Sequence, residues 1–203
     1  DALDDRENKT AEGLVKTLLV PGDRRIIISD NADGMNYKKV LELPTKVGLS
    51  QKYDRIDQRG EKAVGLFAFG SIGHMMHIIS KRQEEQRYNY LRYEKSGKII
   101  IPKIEEEGLS REEVNRDFYG TFPYGTRIIL DVNPYLFKND LVEDAIESFI
   151  QETYLPLLLE KKVKFMIGEQ RDGYLRTIKA PSSLDEGITL LKKELVFEVQ
   201  KSR

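Results

Sequence analysis

The chain alternates short apolar runs with polar turns, and most of these runs have the length of β-strands. Residues 18–20 and 26–29 flank a turn of the type Pro-Gly-Asp and predict a β-hairpin. The second run is rich in isoleucine and ends abruptly at Asp30, after which four turn-forming residues follow up to Gly34. The pattern therefore predicts a strand that brings a carboxylate to the edge of a sheet.

The remaining runs predict more strands than helices. Further strands are predicted at residues 75–80, 88–93, 98–101, 126–132, 162–167, 175–178 and 194–199, and helices at residues 37–43, 60–73, 105–117 and 139–159. Residues 1–16 are interpreted as the end of a helix and a loop, and residues 45–58 as a mobile loop. In the helix at 105–117, Ser110 has the N-cap position and Glu113 the capping-box position.

Strands that mostly follow hairpin turns, with few helices, indicate the fold class. We predict an α+β protein, a two-layer α/β sandwich whose mostly antiparallel mixed sheet is covered by helices on one face. The 203 residues, of which 39% are hydrophobic, suffice for one well-packed domain. We assign residues 1–203 to a single domain, with a core at 1–167 and either additional strands or the start of a following domain at 168–203.

Composition removes several classes of function. Lys and Arg number 33 against 34 for Asp and Glu, so no global field attracts nucleic acid or an anionic membrane. The chain has no cysteine and two histidines, which excludes disulfides and thiolate chemistry and argues against a histidine metal site. We therefore expect no protein metal site of this kind and no nucleic-acid partner for this domain alone.

The longest apolar stretch, residues 63–80, is too polar for a membrane span because glycines and histidines interrupt it. No signal peptide or lipidation motif is recognised, so we expect a soluble cytoplasmic protein. The chain begins at Asp1 rather than at a methionine, and we expect further residues to precede it.

A second stretch, Gly60-Glu-Lys-Ala-Val-Gly65, also suggests chemistry. It is a glycine turn that opens an apolar helix, and such a turn directs backbone N–H groups and the positive end of the helix dipole to one place, which suits phosphate. Neither glycine pair has the spacing of a dinucleotide-binding fingerprint, and the chain has no phosphate-binding loop of the G-x-x-x-x-G-K type.

Each of these residues also has a plain structural interpretation. Asp30 could merely cap its turn, Met35 could be ordinary core, and Thr126 could be a β-forming residue at the start of a strand. Lys52 lies in a polar loop, where most lysines are only solvated. The two glycines at 60 and 65 could form a loop and a close helix contact.

Two further features have more ordinary explanations. His74 and His77 lie in an apolar segment, and we interpret them as core or sheet residues. The run at residues 81–92 interleaves basic and aromatic side chains as nucleic-acid binders do, but its acidic residues favour a solvated β-turn.

Two boxes in order along the chain resemble those of a known superfamily. Asp30-Asn-Ala-Asp-Gly-Met35 is similar to a D-x-G-x-G-[MI] box, and Gly60-x-x-Ala63-Val64-Gly65 to a G-x-x-G-x-G box. These are boxes of the Bergerat-fold ATPases, the GHKL superfamily of gyrase, heat-shock chaperones, histidine kinases and MutL proteins.

Two later or intervening stretches, and the beginning of the chain, add to the resemblance. Gly125-Thr126 looks like the superfamily's final G-T box, and Gly48-x-Ser50-x-Lys52 lies where chaperone-like and MutL-like members carry a glycine, a serine and a lysine. Asp1-Ala2-Leu3-Asp4 resembles the end of the first box, E-x-x-x-N-x-x-D-A. In that register the catalytic glutamate lies upstream of Asp1. A second register places Asp1 at the asparagine position.

The resemblance implies roles for these residues. Asp30 would accept a hydrogen bond from the adenine amine, Gly34 would let the backbone approach, and Met35 and Thr126 would line the base pocket. The phosphates would be surrounded by Lys52 and by the second box, namely Gly60, Ala63, Val64 and Gly65.

The implied function is the binding and slow Mg²⁺-dependent hydrolysis of ATP. Nucleotide state would be coupled to closure of a lid at residues 45–58 and to a homodimer, a protein client or a DNA-repair partner. The lysine-bearing loop and the Gly-Thr strand followed by a long helix favour the chaperone-like and MutL-like branches. A histidine kinase is disfavoured, because no dimerisation helix with an exposed phosphoacceptor histidine is recognised. Ala32 and Ala63 stand where the boxes have glycine. They leave open the alternative of a non-catalytic nucleotide switch or interaction domain on the same fold.

Overall fold

The computed structural model describes residues 13–45, 65–138, 142–170 and 173–181. Within these ranges the elements are β1 (Gly13–Val20), β2 (Arg25–Asp30), α1 (Tyr37–Glu42), α2 (Gly65–Ile72), β3 (Gly73–Lys81), β4 (Tyr88–Ser96), β5 (Ile99–Leu109), α3 (Arg111–Asp117), β6 (Gly125–Val132), the 3-10 helix Pro134–Lys138, α4 (Val142–Thr153), α5 (Leu155–Leu159), β7 (Val163–Glu169) and β8 (Arg176–Thr177).

The strands in the described part of the chain form one eight-stranded sheet in the order β5-β4-β3-β6-β2-β1-β7-β8. The pairing of β1 with β7 is parallel and the other neighbouring pairs are antiparallel. The predicted α+β class with a mostly antiparallel mixed sheet is thus confirmed. β2, β6 and β3 lie side by side, which brings the end of β2, the start of β6 and the end of β3 to one edge.

Alternation along the strands divides the core between the two faces of the sheet. Ile27, Ile79 and Ile129 pack together on one face, where Val114 of α3 joins them. Ile78 and its neighbours on the other face pack against α1 and α2, and α4 and α5 cover the same face nearer β1 and β7. Most helices therefore share one face, as predicted, while α3 covers part of the opposite face.

The helix predicted at residues 105–117 begins only at Arg111. The residues before Ser110 belong to β5, because they pair across the hairpin with β4, for example Glu105 with Tyr90. The local acidic composition favoured a helix, and strand pairing overrode it. The predicted cap is confirmed: the Ser110 hydroxyl accepts from the Glu113 backbone N–H, and the Glu113 carboxylate accepts from the Ser110 N–H.

Two other predicted elements differ from the structure. The long helix predicted at 139–159 is two helices, α4 and α5, separated at Tyr154, because Pro156 lies in the first turn of α5 and cannot continue α4. Residues 13–16 are strand rather than loop, since β1 is held between β2 and β7. The strand predicted at 194–199 lies outside the described residues. The assignment of residues 1–203 to one domain stays a prediction.

Substitution of isoleucine by alanine provides a test of this core. Ile129 is 0% exposed in the centre of the sheet, whereas Ile99 on the edge strand β5 is 67% exposed. We expect Ile129→Ala to lower the free energy of unfolding by about 2–5 kcal/mol, because it removes buried methylene groups and leaves a cavity. Ile99→Ala, the matched control, should change it by less than about 0.5 kcal/mol. Urea unfolding measures both, and similar losses would contradict the assigned core.

Candidate functional site

Three strand ends meet on the helix-covered face of the sheet. Asp30 ends β2, Gly125 and Thr126 begin β6, and Ser80 lies one residue before the end of β3. Thr126 is paired with Ser80 across the β3–β6 ladder. The turn that follows β2 crosses this edge before α1 begins, so residues far apart in the chain become neighbours here.

Asp30 uses one carboxylate oxygen to hold the turn. Its Oδ1 accepts the backbone N–H of Ala32 at 3.0 Å and that of Thr126 at 3.2 Å. Among the described residues no donor reaches the other oxygen, Oδ2. Burial raises the pKa of the Asp30 carboxyl above its ordinary value, although the two hydrogen bonds act in the opposite direction. Asp30 therefore caps its turn with one oxygen, and no residue of the described ranges donates to the other.

Ser80 connects the three strand ends. It is fully buried, and its Oγ accepts the Met35 backbone N–H at 2.7 Å. The same atom lies 3.1 Å from the carbonyl oxygen of Gly125 and 2.9 Å from the hydroxyl oxygen of Thr126. One hydroxyl thus links the turn after β2 to the beginning of β6.

Two glycines allow this close approach. Gly34 has a φ of +76°, and a Cβ atom there would lie 2.2 Å from the backbone oxygen of Lys81. Gly125 has a φ of +109°, and its Cβ would lie 2.2 Å from the backbone oxygen of Asp30. At both positions any side chain would be strained and would collide with backbone. The glycine of the predicted first box is therefore required by the geometry of the turn.

Met35 is held by its backbone and packed by its side chain. Besides the bond from its N–H to Ser80, its carbonyl accepts from Nδ2 of Asn89 at 2.9 Å. The second hydrogen of that amide goes to Glu85, also at 2.9 Å. The Met35 side chain packs against a buried cluster that includes Phe69 of α2. The first box is thereby attached both to β4 and to the helix that follows the second box.

Ala32, which stands where the superfamily box has glycine, is accommodated without strain. It is 1% exposed, and it is not among the non-glycine residues with positive φ, which in the described chain are Arg24, Tyr119 and Lys161. An alanine is therefore compatible with the backbone at this position. Alanine at position 32 therefore causes no backbone strain that would displace the turn from the pocket.

The structure brings together four of the predicted site residues: Asp30, Gly34, Met35 and Thr126. Gly65 is the first residue of α2. The other members of the predicted phosphate-binding group lie outside the described residues, namely Lys52, Gly60, Ala63 and Val64. The part of the site that was predicted to hold the base can thus be described, and contacts to the base and to the phosphates both stay predictions.

Sequence reasoning missed two residues of this site, Ser80 and Asn89. Both are polar residues inside apolar strand segments, and that exception to the pattern was the available signal. A buried polar side chain must find a partner, so its position in a strand implies a specific contact. Which contact it makes depends on the strand order, which local pattern does not reveal.

The other candidates have structural roles in the described chain. His77 is buried on the opposite face, with Nδ1 2.8 Å from the Tyr90 hydroxyl and Nε2 3.3 Å from Asp131. Tyr88 and Tyr90 in the basic-aromatic run are buried in the core, so they cannot stack on nucleic acid. Within the described ranges no group of three or more His, Asp or Glu side chains is placed to hold a metal ion.

Comparison with known families agrees with this geometry. A family model described as histidine kinase-, DNA gyrase B- and HSP90-like ATPase matches residues 13–121, more than half of the chain. The chain belongs to this family. The match includes β1 to α3 and thus the whole first box. No curated protein matches the chain significantly.

Membership in the histidine kinase-, gyrase- and HSP90-like ATPase family supports ATP binding as the function of the domain. It also agrees with the mostly antiparallel sheet and its helix-covered face. The described part of the chain contains no helix that is long and apolar enough to cross a membrane.

A comparison of alanine substitutions at Gly34 and Gly97 distinguishes the strain of a positive φ from collision with neighbouring backbone. Gly97 in the β4–β5 turn also has positive φ, +61°, but no atom lies within 4 Å of the place that a Cβ would take there. Gly97→Ala should cost about 1 kcal/mol of unfolding free energy, which is the cost of φ alone. Gly34→Ala should cost clearly more, because the Lys81 carbonyl must also move. Equal losses in urea unfolding would contradict the close approach at Gly34.

Ionisation of Asp30 lowers the stability of the folded protein by an amount that depends on pH. Because the pKa of Asp30 is raised in the folded protein, the unfolded chain loses this proton first as pH rises, and stability falls between the two pKa values. Asp30→Asn keeps an oxygen for the Ala32 and Thr126 N–H groups but carries no charge. In the absence of nucleotide we expect its stability relative to wild type to increase from about pH 4 to about pH 7. A relative stability that falls over this range, measured by urea unfolding, would show that ionised Asp30 stabilises the fold.

Proposed function

We propose that this domain binds ATP with the adenine base at the edge where β2, β6 and β3 meet. The observation that carries the proposal is Asp30, a partly buried carboxylate at a strand end with Oδ1 bonded to the turn and no described donor at Oδ2. An exocyclic amine is a suitable donor for such an oxygen. Family membership supports ATP as the source of that amine.

The surrounding residues fit a purine nucleotide. Met35 offers a polarisable apolar side chain beside the turn, and Thr126 adds a hydroxyl next to Asp30. Gly34 and Gly125 bring backbone close to the same place. We assign to Asp30 the recognition of the amine, to Met35 and Thr126 the lining of the base pocket, and to Gly34 the approach of the backbone.

For the phosphates we retain the assignment from the sequence. Lys52 and the second box, from Gly60 to Gly65, would surround them, and Gly65 begins a helix as such a phosphate turn requires. Magnesium would bind with the nucleotide, since Mg²⁺ commonly takes most of its ligands from phosphate oxygens and water. The described residues supply no carboxylate cluster for it.

We further propose slow ATP hydrolysis, on the chaperone-like or MutL-like side of the family. Bound ATP supplies the phosphoanhydride bond, and the activating glutamate would lie N-terminal to Asp1. Closure of residues 45–58 would couple the nucleotide to a second copy of the chain or to a partner protein. The alternative is a non-catalytic nucleotide switch. Ala63 in the second box favours it, whereas Ala32 gives it no support because that alanine is unstrained.

Calorimetry with ATP and Mg²⁺ tests the adenine assignment. Asp30→Asn replaces a carboxylate oxygen by an amide group and weakens acceptance from the adenine amine, so we expect at least about a tenfold loss of affinity, the value of one charge-assisted hydrogen bond. Ser29→Ala, one residue earlier and on the other face, is the control and should bind as wild type does. Equal affinity of wild type and Asp30→Asn would refute the assignment.

A further inference from the structure

The hydroxyl group of Ser80 has one hydrogen and three polar neighbours. The Met35 nitrogen lies at 2.7 Å, the Thr126 hydroxyl oxygen at 2.9 Å and the Gly125 carbonyl oxygen at 3.1 Å. Ser80 is 0% exposed, so water does not compete for this hydrogen. Its direction is therefore determined by these neighbours.

Chemistry permits one assignment that satisfies all three contacts. A backbone N–H can only donate and a carbonyl can only accept, so Ser80 accepts from Met35 and donates to Gly125. The hydrogen between Ser80 and Thr126 must then come from Thr126. The reverse direction would leave the oxygens of Ser80 and Gly125 facing each other without a hydrogen, an uncompensated contact in a buried place.

This assignment determines what Thr126 can offer to a ligand. Its only hydroxyl hydrogen points to Ser80, so its oxygen retains lone pairs and acts as an acceptor. The neighbouring group, Asp30, is an acceptor as well, and the two residues are joined by the 3.2 Å bond from Thr126 N–H to Asp30 Oδ1. Two adjacent acceptors favour an amine on the base and disfavour a carbonyl at the same position.

We propose that Ser80 is a positioning residue that determines base specificity by fixing the Thr126 hydroxyl as an acceptor. ATP, with an amine at the six-position of its purine, is then preferred over GTP, which has a carbonyl there. The inference rests on the proposed function, because it assumes that the base lies against Asp30 and Thr126. Without the Ser80 oxygen the Thr126 hydroxyl can rotate and donate to a carbonyl, and the preference should decrease.

The experiment compares ATP and GTP affinities by calorimetry for the wild-type chain and its variants. Ser80→Ala removes the acceptor of the Thr126 hydrogen, and Ser80→Cys, which fills a similar volume with a weak acceptor, serves if the alanine variant does not fold. Ser80→Thr keeps the hydroxyl. Ser29→Ala is the matched control, since its hydroxyl lies on the opposite face of the sheet and accepts from Arg127 instead.

We expect Ser80→Ala to lower the ratio of ATP to GTP affinity by about tenfold, the change that one hydrogen bond makes. Ser80→Thr and Ser29→Ala should keep the wild-type ratio, even if either is less stable in thermal unfolding. In a Thr126→Val background, Ser80→Ala should produce no further change in the ratio, because the hydroxyl through which Ser80 acts is gone.

Two results would overturn the inference while leaving the proposed function in place. One is ATP binding by Ser80→Ala, or by the cysteine variant, with the wild-type ratio. The other is an equal decrease in the ratio with and without the Thr126 hydroxyl, which would mean that Ser80 acts through Met35 instead. Absence of ATP binding by the wild-type chain would overturn the proposed function itself, and this inference with it.

Discussion

The candidate site depends on one steric constraint, the passage of the turn after β2 between the ends of β3 and β6. At Gly34 and at Gly125 the neighbouring backbone oxygen would lie 2.2 Å from any Cβ atom. Glycine has no side chain, so the backbones can approach closely at these two points. Polar groups of three strands then lie within hydrogen-bond distance of one another. Asp30, Ser80 and Thr126 form their network only because the backbones are this close.

A few polar side chains make all the hydrogen bonds described for this network. Asp30 accepts two backbone N–H groups with one oxygen, and Ser80 has three polar neighbours for its one donor and two acceptor positions. Asn89 holds the carbonyl of Met35 from β4. Buried polar groups with complete sets of partners define one geometry, since any shift would leave a group unpaired. The same rigidity holds these acceptor oxygens in fixed positions for a ligand. It also keeps the Asp30 carboxylate in a place where water solvates it poorly.

Part of this architecture was predictable because it is local. The β1–β2 hairpin, the end of β2 at Asp30, the turn that follows it and the cap of α3 at Ser110 follow from patterns within a few residues. Predictions failed where partners distant in sequence decide. Residues 105–109 are strand because β4 pairs with them, and residues 13–16 are strand because β2 and β7 enclose them.

The sequence by itself determined the family, the α+β class and the residue types of the first box, since these depend on short motifs and on hydrophobic periodicity. Only the tertiary structure decided that Ser80 and Asn89 belong to the site and that Ala32 is unstrained. Strand order is the physical reason: β6 inserts between β2 and β3, so Thr126 lies next to both Asp30 and Ser80, 96 and 46 positions away in the chain. No local pattern contains contacts of that range, because they arise from which strands pair.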